Sequence, residues 1–275
     1  MKISSVLIIG FLLILAACKN GQKKIDLNLE NMVSDASTSK EIPRKQMKSQ
    51  INKLDTDYCM GRFEPNKHSD FEVIPVKYAD REGMYLRKDV FKAFKNMFEA
   101  AKKEGVNLQI RSATRNFNYQ KGIWERKWTG ATVLSDDTNV AKDLNSPKEK
   151  ALKILEYSSM PGTSRHHWGT DIDLNAFSNS FFEKGEGKKI YDWLQKSASS
   201  YGFCQPYTAK GPSRPNGYNE EKWHWTYKPL GSEITAFAEQ NLKNQMITGF
   251  KGAETAVEID VVGKYVLGIN QGCNH

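Results

Sequence analysis

Residues 86–103 place Val90, Phe91, Phe94, Met97, Phe98 and Ala101 at three- and four-residue intervals, with lysines between them. One apolar stripe against one basic face predicts an amphipathic helix, which Gly105 ends. From residue 106 to 112 the period drops to two, and this alternation predicts a half-buried strand. Further helices are expected over 116–128, 147–158 and 188–200. A loop holding Gly130 and the Asp136-Asp137 pair separates the first two, and Gly202 stops the third. Short strands are expected over 171–175, 203–208 and 222–227, and the β-branched run 257–269 predicts one more strand or hairpin. Helices around short antiparallel strands, without an internal repeat, predict a single α+β domain.

The two ends of the chain read differently from its middle. Residues 1–17 begin Met-Lys, run apolar from Val6 to Leu15 and end Leu15-Ala16-Ala17 before Cys18. That is the pattern of a secretory signal peptide, too short for the roughly 20 residues that cross a bilayer. Leu-Ala-Ala-Cys resembles a bacterial lipobox, which implies an exported lipoprotein whose Cys18 carries the lipid and holds the protein on a membrane. Residues 18–56 lack aromatics and are rich in Lys, Asn, Ser and Asp, so they are expected to form a flexible tether. A catalytic domain over 57–240 and a C-terminal extension over 241–275, packed on that domain, complete the expected organisation.

Composition narrows the classes. The 275 residues are 39% hydrophobic, enough for a substantial core. Lys and Arg number 40 against 32 Asp and Glu, a formal +8 spread along the chain, which reads as a soluble basic surface. Nucleic acid is not an expected partner, because export removes it and no basic stripe interleaved with aromatics appears. A monomer is expected. Export also permits a disulfide among Cys59, Cys204 and Cys273. Three pairings are open; Cys204 with Cys273 is preferred, since it would tie the C-terminal extension to the edge of a predicted strand. No Cys-x-x-Cys occurs, which argues against a four-cysteine zinc site.

The candidate chemistry lies in two segments. Ser164-Arg165-His166-His167-Trp168-Gly169-Thr170-Asp171-Ile172-Asp173 and Glu221-Lys222-Trp223-His224-Trp225 hold three of the five histidines beside several carboxylates. These are the parts of a catalytic zinc site, which takes three protein ligands and leaves one open position. On a strand, Asp171 and Asp173 share one face while Ile172 enters the core. His166 precedes that strand, and Gly169 lets the backbone turn so that its imidazole and one of the strand carboxylates can meet at a metal. His224 on another strand would complete the set, with Trp223 and Trp225 facing away to pack. Glu221 is the candidate general base. Strict strand alternation would put it on the wrong face, so it must lie where the strand is only beginning; Glu220 is the competing candidate. His167 reads as a surface or supporting residue, and the tryptophans Trp124, Trp128, Trp168, Trp223 and Trp225 read as core more than as a sugar platform.

The same segments resemble the signatures S-x-H-x-x-G-x-A-x-D and E-x-W-H of the zinc D-alanyl-D-alanine carboxypeptidase family. Ser112-Ala113-Thr114-Arg115, with Gln120 downstream, is similar to that family's S-G-Y-R and its following Q. The likeness runs over roughly residues 85–230. It implies a D,D-peptidase-like α+β fold related to Hedgehog, with Zn2+ held by His166, Asp173 and His224 and Glu221 as catalytic base. It further implies that Arg115 polarises the scissile carbonyl or holds the substrate carboxylate, and that Ser164 and Gln120 bind the peptide; were Arg115 a surface arginine, Arg111 would be the nearest substitute. The implied activity is removal of a C-terminal D-alanine from peptidoglycan stem peptides. Alternatives are an endopeptidase that cuts cross-links and a non-catalytic peptidoglycan-binding lipoprotein. The chain departs from the motif at Asp171 (Ala), Thr114 (Tyr) and Ala113 (Gly), and these departures bear on substrate choice.

Overall fold

A four-stranded antiparallel sheet carries Asp171, Asp173 and His224. The computed structural model describes residues 54–274. The expected signal segment 1–17, the lipidation at Cys18 and nearly all of the expected tether lie outside the described residues. The strands are β1 (Phe71–Val73), β2 (Tyr85–Arg87), β3 (Ile110–Ser112), β4 (Asp171–Leu174), β5 (Phe203–Cys204) and β6 (His224–Tyr227). β1 and β2 form a separate antiparallel pair, and the larger sheet has the order β3-β4-β6-β5. The helices are α1 (Thr56–Cys59), α2 (Lys88–Lys103), α3 (Phe117–Trp128), α4 (Val140–Asp143), α5 (Pro147–Ile154), α6 (Gly185–Ser197), α7 (Lys228–Asn241) and α8 (Thr255–Ile259).

Period-two alternation sorts the two faces of the sheet. In the β4–β6 register Ile172 pairs with Trp225, Asp171 with Thr226 and Asp173 with His224. Ile172, Leu174, Phe203 and Trp225 join one core cluster with Val90, Phe94, Met97 and Phe98 of α2 and Ile190, Trp193 and Leu194 of α6. Each large side chain so buried contributes about 1.5–3 kcal/mol. The polar partners Asp171, Asp173, His224 and Thr226 are left to one another. A second cluster joins Trp124 of α3, Ala151 and Ile154 of α5, and Ile234 and Ala238 of α7 to Ile247, Ile259, Val262 and Val266.

Several elements differ from the pattern-based expectation. The run 257–269 is not a strand or hairpin: α8 is followed by a π-helical turn over Val262–Val266. Its buried residues Ala256, Ile259, Val262 and Val266 recur at three- and four-residue spacing, a helical stripe that outweighs the β-branched composition. α7 is a helix the pattern does not predict, because Pro229 and Gly231 look like breakers. Proline in a first helical turn lacks only a hydrogen bond that would be unmade there anyway. Gly231 admits close packing, since a Cβ there would come within 2.7 Å of Thr226 Oγ1. The strands are shorter than expected, and α5 ends at Ile154, after which Tyr157 turns its ring to within 6.2 Å of that of Trp223. Cys204 pairs with Cys273 across a Cα–Cα distance of 5.7 Å, and Cys59 is a buried free thiol. Among the described residues no helix is long and apolar enough to cross a membrane.

Candidate active site

The segment Ser164–Gly169 is a 3-10 turn over Arg165–Trp168 closed by Gly169 at φ 71°. A Cβ on Gly169 would stand 2.4 Å from the Phe71 ring, so this reversal requires glycine both for its φ and for its space. The turn delivers His166 against β4. Its Nδ1 is 2.9 Å from the carbonyl of Ala113, which can only accept, so the proton sits on Nδ1 and the Nε2 lone pair faces Asp173 Oδ2 at 3.2 Å. His224 is arranged in the mirrored way. Its Nε2–H donates to Asp171 Oδ2 at 2.8 Å, and its Nδ1 faces Glu221 Oε2 at 3.0 Å and Asp173 Oδ1 at 3.3 Å. Glu221 reaches this side because residues 221–224 form a turn, in which the His224 N–H donates to the Glu221 carbonyl at 3.2 Å. The turn removes the conflict with strand alternation. Glu221 lines the cleft and Glu220 does not.

Ligand-capable atoms of His166, Asp173 and His224 lie within 4.8 Å of one another, and all three residues are buried. Two imidazole lone pairs aimed at carboxylates repel them unless a proton or a metal ion lies between. Asp173 Oδ1 is buried without a hydrogen-bond partner. Two nitrogens and a carboxylate are a donor set that suits zinc, and the residues therefore fit that ion. Without an ion, the same field favours a proton on His224. Burial opposes a charged His224, yet its contacts with Asp171 and Glu221 outweigh burial and lift its pKa to about 10. Burial and the charge of Arg115 push His166 the other way and keep it neutral. Burial also raises Glu221 above the ordinary carboxylate range, against the pull of His224. Asp171 stays well below that range: burial opposes its charge, but Arg165 and His224 prevail.

The cleft has a volume of about 690 Å³ and takes in Arg115, Gln120, His166, Asp173, Glu221 and His224. Arg115 donates to Ser112 Oγ at 2.8 Å and stands 3.8 Å from Asp173 Oδ2. Arg111 is elsewhere, paired with Asp80 at 2.7 Å. Gln120 donates to the Ser159 carbonyl at 2.8 Å and keeps an unpartnered Oε1. Ser164 is buried and does not line the cleft. Trp223 packs with the core as expected, yet it also lines the cleft.

His167 is a strut and not a surface residue. Its Nδ1 is 2.6 Å from the Arg115 carbonyl and its Nε2 accepts from the Gly162 N–H at 3.0 Å, which burial accommodates by keeping the ring neutral, with a pKa lowered to about 3. Three residues escape a reading of the sequence. Arg165 is fully buried, bonding Asp171 at 3.1 Å, Thr226 at 3.0 Å and Thr235 at 2.8 Å. Tyr207 packs edge-on against the His224 ring at 4.7 Å. Lys127 lines the cleft from α3. Of these only Lys127 has a signal in the sequence, its seven-residue spacing from Gln120 on one helical face.

A family model described as VanY, D-alanyl-D-alanine carboxypeptidase, matches residues 83–230. "Putative carboxypeptidase YodJ" of Bacillus subtilis is 30% identical over 190 residues, 66% of this chain and 59% of that protein. A D-alanyl-D-alanine carboxypeptidase of Enterococcus faecalis is 27% identical over 132 residues, 48% of this chain and 44% of that one. The chain thus spans about half the length of these relatives. Among solved structures, the LdcB LD-carboxypeptidase aligns with a TM-score of 0.46 at 25% identity, covering 73% of this chain and 76% of that one. VanYB in complex with D-alanine-D-alanine aligns with a TM-score of 0.44 at 21% identity, covering 73% and 88%. The chain belongs to the VanY D-alanyl-D-alanine carboxypeptidase family.

Proposed function

We propose that this member of the family is a zinc-dependent carboxypeptidase that removes the C-terminal D-alanine from peptidoglycan stem peptides. We further propose that it works in the cell envelope, exported by residues 1–17 and held to a membrane through a lipid on Cys18. The observation that carries the reading is the convergence of His166, Asp173 and His224, with Glu221 3.0 Å from His224, on one cleft.

His166, Asp173 and His224 would hold the ion, which when bound supplies a Lewis acid and brings the ionisation of water into the neutral range. Glu221 is the proton carrier. Burial raises its pKa, so the carboxylate takes a proton from the attacking water more readily than an exposed glutamate and can return it to the leaving amine. Arg115, fixed by Ser112, presents its guanidinium beside Asp173, where negative charge on a reacting carbonyl oxygen would be stabilised. Gln120 offers its unpartnered Oε1 to a peptide N–H.

The test is mass spectrometry of defined pentapeptide, tetrapeptide and cross-linked dimer substrates after incubation with the zinc-loaded chain. Loss of one D-alanine from the pentapeptide is expected. Glu221→Ala should keep its zinc and lose turnover by about 10²–10⁴-fold, while His224→Ala should fail to retain zinc. Full activity in Glu221→Ala would overturn the assignment of the base. Labelled lipid should be incorporated into the wild-type chain in cells and not into Cys18→Ala.

A further inference from the structure

Four arginine or lysine side chains line the cleft, and three of them are matched by carboxylates of the chain itself. Arg165 pairs with Asp171 at 3.1 Å, Lys153 with Asp136 at 2.6 Å and Glu156 at 3.0 Å, and Arg115 approaches Asp173 at 3.8 Å. Lys127 is the exception. Among the described residues no carboxylate lies within ion-pair distance of it, and its Nζ donates to the hydroxyl of Ser158. Lys127 is half-buried and Ser158 is buried, so this ammonium has lost much of its water and gained only a neutral partner. That arrangement is costly unless an anion completes it. Burial first and the charge of Arg115 second lower the Lys127 pKa, with Glu221 opposing, which also shows that Lys127 lies within electrostatic reach of both.

The helix supplies the direction. Gln120, Ile123 and Lys127 of α3 fall at i, i+3 and i+7, on one face, and all three line the cleft. Lys127 and Arg115 are therefore two cations on one cavity with different surroundings. Arg115 is bonded to Ser112 and leans on Asp173, so its charge is directed at the metal-ligand cluster. Lys127 has no such acidic contact among the described residues and carries a point charge with three donors, suited to a carboxylate.

We propose that Lys127, steadied by Ser158, binds the C-terminal carboxylate of the peptide substrate and thereby makes the cleft select chain ends. This rests on the carboxypeptidase reading and assigns a residue to the anion that any substrate of an exopeptidase must carry. It leaves Arg115 to the reacting carbonyl.

The experiment measures binding apart from turnover. Zinc-loaded Glu221→Ala chain, with and without Lys127→Met, is titrated with an acylated D-alanyl-D-alanine peptide as the free acid and as its C-terminal amide. In parallel, kcat and KM for the acid are measured for the wild type, Lys127→Met and Lys127→Arg, with thermal melts of each. The Met variant should bind the acid tenfold or more weakly, with KM raised to match, and the amide within threefold of its parent. The Arg variant should recover most of the loss. If melts show the Met variant to be unfolded, Lys127→Gln, which can still bond Ser158, replaces it. An equal loss for acid and amide would put Lys127 on some other part of the peptide and overturn the assignment, as would no loss for either. If the wild type cleaves the acid while Lys127→Met binds it normally, the carboxylate assignment alone fails. If the wild type cleaves no such peptide, both readings fail.

Discussion

Asp171 stands where the family motif has alanine, and the structure gives that departure a physical role. Its Oδ2 takes the Nε2–H of His224 and an N–H of Arg165, and its Oδ1 accepts from the hydroxyls of Thr170 and Thr226, both at 2.7 Å. A carboxylate behind a ligating imidazole fixes the ring and its tautomer, and losing such a partner typically costs about 10–100-fold in metal affinity. Asp171→Asn can still accept from His224 and should lower zinc affinity toward the small end of that range. Asp171→Ala should lose the full amount. It also strands a fully buried Arg165, so the metal-free chain should be less stable by about 3–5 kcal/mol. Chelator competition measures the first effect, and melts of the metal-free variants measure the second. Wild-type zinc affinity in Asp171→Ala would show that Asp171 does not position His224.

At the scale of elements, the site is a turn–strand unit facing a turn–strand unit: residues 164–174 against 221–227. Gly169→Ala tests the first. Its φ of 71° and the Phe71 ring, 2.4 Å from where the new methyl carbon would stand, mean strain and a clash at once, with a cost of about 1–3 kcal/mol for the backbone alone. The variant should melt lower and bind zinc less tightly, since the turn sets His166 against Asp173; unchanged zinc binding would separate the turn from the site. This local character is why the site is legible in the sequence. His166, Gly169 and Asp173 lie within eight residues, and alternation correctly puts Asp171 and Asp173 on one face and Ile172 in the core. What is not legible depends on neighbours distant in sequence. His167 reads as a surface or supporting residue, and only the fold chooses between these, by clasping both its nitrogens with the Arg115 carbonyl and the Gly162 N–H. The turn that brings Glu221 round is held by the Tyr207 carbonyl and by Gln205, sixteen residues away. The helical stripe after residue 254 is masked by β-branched residues, and that of α7 by a proline.

Across the whole molecule, the C-terminal segment supports the cleft from behind. Trp124 of α3 donates to the Lys251 carbonyl at 2.8 Å and Lys121 to the Gly249 carbonyl at 2.7 Å, so the wall that carries Gln120 and Lys127 is backed by residues 249–251. Asn270 donates its backbone N–H to the Pro206 carbonyl at 2.8 Å and its side chain to the Gln205 carbonyl at 3.3 Å. Gln205 in turn donates to the Glu221 carbonyl at 3.1 Å. The Cys204–Cys273 disulfide closes this arrangement over 69 residues, and a loop of that length restricts the unfolded chain by about 4 kcal/mol in the chain-entropy model. Cys204→Ser/Cys273→Ser should therefore unfold at a clearly lower urea concentration, by about 2–4 kcal/mol. It should still bind zinc in the folded state, because His166, Asp173 and His224 lie on elements the bridge does not join. The distinguishing reading is turnover. With the C-terminal end released, the contacts that brace the Glu221 turn loosen, so kcat should fall while zinc content stays whole. A double variant with the wild-type kcat and unfolding midpoint would mean that noncovalent packing of residues 242–273 suffices and the bridge adds nothing to the site.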